Sequence, residues 1–333
     1  MVAACEGRDV TLVLGNALPQ IGDHTLRVYA AMIRSLDQMV EKVLSGKRRY
    51  RIAVAWAHDD NTLHAVKKAV DEGIAEAILI GTESEIIKNC SRAGIMTGIF
   101  TIVESADEVS AAADAVKMVK SGQADIVMKG LVSTDKFLKA VMDKENGLML
   151  PGAVLSYVCA LQLPEYHKLL FITDTAVIPF PTLEQKIAMA EYAIEMTSRF
   201  GIEKPKIALI GASEKPSRHF ESSAHYETMK KLAAEGRISD CIMDGPLDVF
   251  LACDSKSVEI KGVKTPVDGD ADILLFPSLE SSNPFYKGLM LFAGGELGGL
   301  IRGTEKPVIL MSRSESERSK FYCIALACLM ANN

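Results

Sequence analysis

The segment Pro307-Val-Ile-Leu-Met-Ser312-Arg313-Ser-Glu-Ser-Glu-Arg-Ser-Lys320 ends an apolar run abruptly in a hydroxyl and a guanidinium. A charged stretch follows and leads into an apolar helix expected over 321–330. A strand that stops and turns into a helix presents unpaired backbone N–H groups and the positive end of the helix dipole. Ser312 and Arg313, added there, make a site suited to a phosphate or another anion.

Four further strand ends carry polar residues. Met128-Lys129-Gly130-Leu-Val-Ser133-Thr134 precedes a helix. Gly130 permits close backbone approach, and Ser133 or Thr134 serves either as a helix cap or as an anion ligand. Asp174, in Thr173-Asp174-Thr175 with Pro179 beyond, is either a ligand residue or a satisfied turn residue. Asp244-Gly245-Pro246 reads first as a turn, with Asp248 near a helix start. Glu280, Asn283 and Lys287 are spaced i, i+3 and i+7, so a helix would place them on one face. Such a stripe is a solvated surface or, facing a crevice, a holder of a polar ligand.

Other chemistries lack their residues. There is no GxxxxGK[ST] and no GxGxxG after the first strand, so neither nucleotide fingerprint supports an ATPase or a dehydrogenase. There is no GxSxG elbow, and none of the six histidines forms an HExxH pair. The net charge of −6 removes the electrostatic footprint of a nucleic-acid binder. The seven cysteines are scattered without CxxC spacing, and Cys159, Cys323 and Cys328 sit in apolar runs, as reduced thiols of a cytoplasmic protein would. No apolar run has the length of a membrane span.

The elements that must position these residues follow from hydrophobic patterning. Strands are expected at 51–57, 77–80, 99–103 and 126–129, alternating with helices at 62–72, 83–93, 106–120 and 134–142. After a break at 146–152 the alternation resumes, with strands at 169–172, 206–210, 241–243 and 273–276 and helices at 182–200, 222–235, 247–252 and 282–292. Residues 254–267 read as a loop or short hairpin. Glycines at 294, 295, 298 and 299 allow tight packing or a second crossing between domains. The pattern implies an α/β protein with a parallel sheet, helices on both faces and ligands at the carboxyl ends of strands. At 333 residues, two domains are expected. Residues 1–30 read as a possible N-terminal extension.

Taken together, the five segments resemble the phosphate acetyltransferase and phosphate butyryltransferase family. The resemblance rests on Lys129-Gly130-x-x-x-Thr134, Asp174 with Pro179, Asp244-Gly245-Pro246-Leu247, and Asp272 through Pro277, Glu280, Asn283 and Lys287. It continues through Pro307-Val-Ile-Leu-x-Ser312-Arg313 and Lys320-x-x-x-Ile324-Ala325-x-Ala327. Length and the Ser-Arg-x-Glu-Ser-x-x-x-Lys wording look more like the butyryltransferase branch.

The resemblance implies a two-domain α/β fold of the isocitrate/isopropylmalate dehydrogenase type with the active cleft between domains. One domain would hold 1–150 plus the returning 301–333, the other 151–300. It also implies a homodimer, metabolic coupling to an acyl kinase, and no metal or permanently bound cofactor. The implied reaction moves a short acyl group directly between CoA and inorganic phosphate. Two alternatives stand beside it: a CoA- or acyl-phosphate-binding regulator that has lost activity, and an acyl-ACP phosphate acyltransferase on the same fold.

By resemblance, Ser312 and Arg313 are catalytic. Ser312 would serve the carbonyl or the thiol sulfur, and Arg313 the phosphoryl oxygens. Ser133 and Thr134 would contact phosphate beside Lys129 and Gly130. Asp174, Glu280, Asn283 and Lys287 would line the cleft, and Lys320 would support a thiolate. Two departures stand out. The family's acetyltransferases carry an Asp seven residues after the serine, where this chain has Ser319, so proton transfer has no assigned base. Glu315 and Glu317 are the candidates to substitute for it, although both read first as solvated helix-start charges. Where acetyltransferases often place a phosphate-binding Arg, Lys139 stands nearest, with charge but without the bidentate fork. The apolar stretches 149–151 and 178–180 are the candidates for an acyl pocket.

Overall fold

The computed structural model describes residues 32–331, so the expected 1–30 extension lies outside the described residues. From Ile33 onward the chain forms one compact unit. The first half supplies strands β1 (Tyr50–Ala55), β2 (Ala75–Gly81), β3 (Thr101–Glu104) and β4 (Ile126–Lys129). The middle supplies β5 (Ser156–Gln162), β6 (Leu170–Thr173), β7 (Lys206–Ile210), β8 (Ile242–Leu247) and β9 (Ile273–Leu275). The chain then returns through β10 (Glu296–Arg302) and β11 (Val308–Ile309).

All eleven belong to a single sheet, in the order β3-β2-β1-β4-β11-β10-β5-β6-β9-β7-β8. The outer strands are parallel as patterning implies, but β10 runs antiparallel to both β11 and β5, and β5 antiparallel to β6. The expected parallel sheet is therefore corrected to a mixed one. The cause lies in β5 and β10, which alternation did not reveal. β10 contains Gly298 and Gly299, residues that patterning counts against a strand. Packing requires them: a Cβ at Gly298 would sit 3.0 Å from the Tyr322 carbonyl oxygen, and one at Gly299 would sit 2.1 Å from Tyr157 Oη.

The helix Glu317–Ala331 is buried on every side from Ser319 to Met330. A helix apolar all round belongs inside a protein, and this one packs on β10 and on the helices Asp60–Asp71 and Leu36–Ser45. The Leu36–Ser45 helix, capped by Ser35 Oγ on the Gln38 N–H, lies upstream of every expected element. Residues expected as a loop or hairpin at 254–267 instead hold the helix Ser255–Lys261, capped by Asp254 and closed by Gly262 in the left-handed region. Only Val258 of that helix is buried, so no apolar stripe announced it.

For the site, the decisive connection is the short β11. It lies parallel to β4, pairing Val308 with Val127 and Ile309 with Met128. The carboxyl ends of β4 and β11 therefore emerge side by side, about 4.8 Å apart, and carry Lys129-Gly130 and Ser312-Arg313. Gly130 closes this junction: its N–H donates to the Ala55 carbonyl at 2.9 Å, and the Leu131 N–H donates to the Trp56 carbonyl at 2.9 Å. A Cβ at Gly130 would lie 2.5 Å from Trp56 O and 2.7 Å from Ala55 O, both backbone atoms. Gly130→Ala should therefore lose about 1–3 kcal/mol of stability, read from the midpoint of urea unfolding at unchanged slope.

Candidate active site at the β4 and β11 strand ends

A cavity of about 340 Å³ opens where β4 and β11 end, lined by Lys129, Val132, Ser133, Thr134, Met311, Ser312, Arg313 and Ser314. Five residues singled out from sequence thus meet in one place, brought from two segments nearly two hundred positions apart.

On one wall, Ser133 occupies the N-cap position of the Thr134–Val141 helix, yet its side chain makes no capping bond. Its Oγ meets no partner at hydrogen-bonding geometry and has the Asp135 carboxylate nearby. The Ser133 N–H donates to Glu108 Oε2 at 3.0 Å, which anchors the loop from behind. Thr134 is exposed at the first turn, where helix N–H groups favour an anion.

On the facing wall, Ser312 Oγ lies 3.0 Å from Ser314 Oγ, and the Ser312 N–H donates to Glu315 Oε2 at 3.3 Å. Arg313 reaches across to the other wall, donating from Nη2 to the Leu131 carbonyl at 3.1 Å. Its side chain is exposed, so the guanidinium keeps donors for a ligand.

Lys129 forms the floor. It is buried, and its Nζ donates to the Gly130 carbonyl at 3.2 Å and the Met311 carbonyl at 3.5 Å. Neither is a carboxylate. Burial, followed by repulsion from Arg313 and Lys320, pushes the Lys129 ammonium down to about 8. A buried cation whose direct hydrogen-bond partners are neutral carbonyls favours arrival of an anion.

Lys320 has a different occupation from the expected ligand role. It is buried and donates to Asp59 Oδ1 at 3.1 Å and Thr62 Oγ1 at 3.1 Å. Asp59 also caps the Asp60–Asp71 helix through the Thr62 N–H at 2.9 Å. Burial pushes the Asp59 carboxyl up, but the Lys320 charge and the Thr62 hydrogen bonds outweigh it, leaving it below the usual range. The ion pair pins the final helix to the first half of the sheet. Asp59 was not among the sequence candidates; the only signal was its capping position before an amphipathic helix.

Asp174 is likewise turned inward. Its Oδ2 accepts from Ser156 Oγ at 2.9 Å and the Tyr157 N–H at 3.0 Å, and its Oδ1 from the Ala176 and Val177 N–H groups at 2.7 and 2.8 Å. Four internal donors satisfy the carboxylate, which makes it the organiser of the loop after β6. Asn283 is also committed, donating from Nδ2 to the Thr175 carbonyl at 2.8 Å. Glu280 and Lys287 are exposed on the same Leu279–Phe292 helix. Lys139 is exposed in the last turn of the Thr134–Val141 helix, away from the cavity wall. Ser319, where the resemblance leads one to expect a carboxylate, is buried and donates to Glu296 Oε2 at 2.6 Å.

Glu315, expected to be solvated, is half-buried instead and accepts from Tyr286 Oη at 3.3 Å. This contact ties the Leu279–Phe292 helix to the Ser312 turn. A larger cavity, about 880 Å³, opens beyond β7, β8 and β9 and is lined in part by Phe180, Lys186, Ser213, His225 and Ser278. It does not include the Ser-Arg turn.

A serine and an arginine on one strand end face a lysine, a buried serine hydroxyl and a helix start on the next, a set of donors and positive charge suited to an anion. The model for the phosphate acetyl/butyryl transferase family matches residues 35–114 and 106–328, and the chain belongs to this family. It is therefore an acyltransferase. It is 38% identical to the phosphate butyryltransferase of Clostridium acetobutylicum, over 91% of this chain and 100% of that protein. It is 33% identical to the phosphate acetyltransferase of Thermotoga maritima, over 89% of this chain and 99% of that one. Among solved structures, a branched-chain phosphotransacylase from Enterococcus faecalis V583 superposes with a TM-score of 0.74 at 31% identity, covering 85% of this chain and 99% of that one. No helix among the described residues is long and apolar enough to cross a membrane.

The charge state of Lys129 generates a prediction. Inorganic phosphate titrated by calorimetry should bind more weakly as pH rises past about 8, where Lys129 gives up its proton. Lys129→Met should bind weakly already at pH 7 and should lack that pH step.

Proposed function

We propose that the chain transfers a short acyl group directly between CoA and inorganic phosphate at the Ser312-Arg313 turn. The single observation behind this reading is that the turn shares one small cavity with Lys129, Ser133 and Thr134. Family membership supports the reaction class, and relatives named phosphate butyryltransferase and phosphate acetyltransferase favour it over both the regulator and the acyl-ACP alternative.

In this reading phosphate rests against Lys129, Ser133, the Thr134 helix start and the Arg313 guanidinium, whose planar fork matches two phosphoryl oxygens. The acyl carbonyl lies at Ser312. As the thiol sulfur or the phosphate oxygen attacks, charge collects on the carbonyl oxygen, and a donor aimed at it lowers the barrier. Holding both substrates together supplies the remainder through proximity, without a covalent enzyme intermediate. Gly130 keeps the two strand ends close. Asp174 and Asn283 shape the adjoining loop through internal hydrogen bonds. Lys320 acts through its ion pair with Asp59, and Lys139 and Glu280 stand outside the contact set.

The cleft in this reading lies between two lobes of the continuous sheet, one built on β1–β4 and β11 and the other on β6–β9. A homodimer is its working form, CoA is substrate rather than resident cofactor, and an acyl kinase is its metabolic partner. Six free cysteines among the described residues fit the reducing cytoplasm.

Turnover with acetyl-, propionyl- and butyryl-CoA plus phosphate, followed by thiol release, tests the proposal. Release is expected with at least one, and Ser312→Ala should lower kcat about 100-fold or more. Arg313→Lys should raise KM for phosphate. No release with any acyl-CoA by a protein that still binds CoA would defeat the enzymatic reading. Full activity in Ser312→Ala would defeat the site.

A further inference from the structure

Thioester formation requires the CoA thiol to lose its proton, and a free thiol near pKa 8.5 is only a few per cent ionised at neutral pH. A carboxylate within reach of Ser312 would solve this. Four carboxylates stand just behind the residues that line the cavity. Asp59 is held by Lys320 and Thr62. Glu108 is held by Lys136 and the Ser133 N–H. Asp135 is exposed beside Ser133. All three lie below the ordinary carboxylate range, which makes them weak bases.

Glu315 differs. It closes the turn that carries Ser312: its backbone N–H donates to the Ser312 carbonyl at 3.3 Å, and its Oε2 accepts from the Ser312 N–H at 3.3 Å. Its Oε1 accepts from Tyr286 Oη at 3.3 Å. Among the described residues it forms no ion pair within 4 Å, whereas Asp59 and Glu108 each do.

We propose that Glu315 is the general base that takes the proton of the CoA thiol, replacing the carboxylate that Ser319 does not supply. This rests on the acyl-transfer reading above. In the direction that forms the thioester, the S–H proton passes to the Glu315 carboxylate as the sulfur attacks the acyl phosphate carbonyl at Ser312. The C–S bond forms, the carbonyl C–O bond to phosphorus breaks, and phosphate leaves with the bonding pair. The proton on Glu315 then returns to solvent or to phosphate. In reverse, the same carboxyl protonates the departing thiolate.

The surroundings suit this task. Burial raises the Glu315 carboxyl above its ordinary value, opposed by the Ser312 N–H, the Tyr286 hydroxyl and the charges of Lys320 and Lys287. Lys129 faces it from β4. Tyr157 and Cys159 of β5 and Cys323 of the final helix also face it, and all three are buried and pushed up in pKa, so they stay neutral. A half-buried carboxyl among neutral hydroxyls and thiols, with cations at a distance, ionises closer to working pH than a solvated one does.

Glu315→Gln keeps the size and, through its carbonyl oxygen, the acceptor for the Ser312 N–H, while its amide NH2 donates to Tyr286 Oη in place of accepting, so it separates proton transfer from positioning. The experiment measures kcat/KM for CoA with butyryl phosphate or acetyl phosphate from pH 5 to 9.5, in wild type, Glu315→Gln and Glu315→Asp. The wild type should lose activity as pH falls through an acid limb above the usual carboxylate range. Glu315→Gln should be slower by about 100-fold or more at pH 7, and should regain rate toward high pH as the thiol ionises unaided. Glu315→Asp should retain the acid limb. An equal loss at every pH, with the acid limb preserved in Glu315→Gln, would overturn the proposal in favour of positioning alone. Full activity in Glu315→Gln would overturn it outright while leaving the Ser312 site intact, whereas absence of turnover in the wild type would instead defeat the acyl-transfer reading.

Discussion

Two residue pairs hold the site together: Val308 with Val127, and Ile309 with Met128. Through them the C-terminal return is stitched into the sheet beside β4 rather than left at an edge. Parallel neighbours end on the same side, so one short pairing places Ser312-Arg313 against Lys129-Gly130 and the Thr134 helix start. Everything beyond depends on that register. A slip of one residue would reverse the faces of Val308 and Ile309 and would carry the Ser-Arg turn out of the cavity. The buried Glu317–Ala331 helix and the Lys320–Asp59 ion pair guard the register from the other side.

The electrostatics run against the global charge. The chain carries a net −6, yet Lys129, Arg313, Lys287 and Lys320 gather near the turn. Their roles diverge with burial and partner. Lys320 has Asp59 and is structural. Among the described residues Lys129 hydrogen-bonds only to carbonyls, so an incoming anion would be its first charged partner in direct contact. Arg313 is exposed and rests on a neutral carbonyl, which a phosphoryl group can displace because it brings a negative charge and two oxygens that match the guanidinium fork. Glu315 sits among these groups with no ion pair among the described residues, in the middle of a turn it helps to close. One side chain can thereby link the geometry of Ser312 to the proton balance of the reaction.

The legibility of the chain varied with how locally each feature is encoded. β4 was readable because Ile126, Val127 and Met128 are buried on both faces, and β7 because its five residues are bounded by proline and glycine. β5 and β10 were not. Gly298 and Gly299 look like loop residues until the final helix is seen to pass against one and Tyr157 against the other. The helix Ser255–Lys261 buries one residue and so carries almost no periodic signal. Among the site residues, the Ser312-Arg313 turn and Lys129-Gly130 with Ser133-Thr134 stood out because each is a polar strand end before a helix. In sequence Glu315 reads first as a solvated helix-start charge and only second as a base, and nothing nearby in sequence marks Tyr286 as its cover.

From residue types and order alone came the alternating elements, the reduced thiols, the polar strand ends and the family resemblance. These are written in spacings of a few residues, where periodicity and capping operate. Folding in three dimensions settled which strand ends meet, that the sheet is mixed and continuous, and which polar side chains are free. Asp174 and Lys320 looked like ligands but are consumed by internal partners, whereas Glu315 looked like surface and is enclosed. Burial and pairing are properties of neighbours brought together across more than a hundred residues, and those neighbours decide whether a charged side chain holds the fold or takes part in the chemistry.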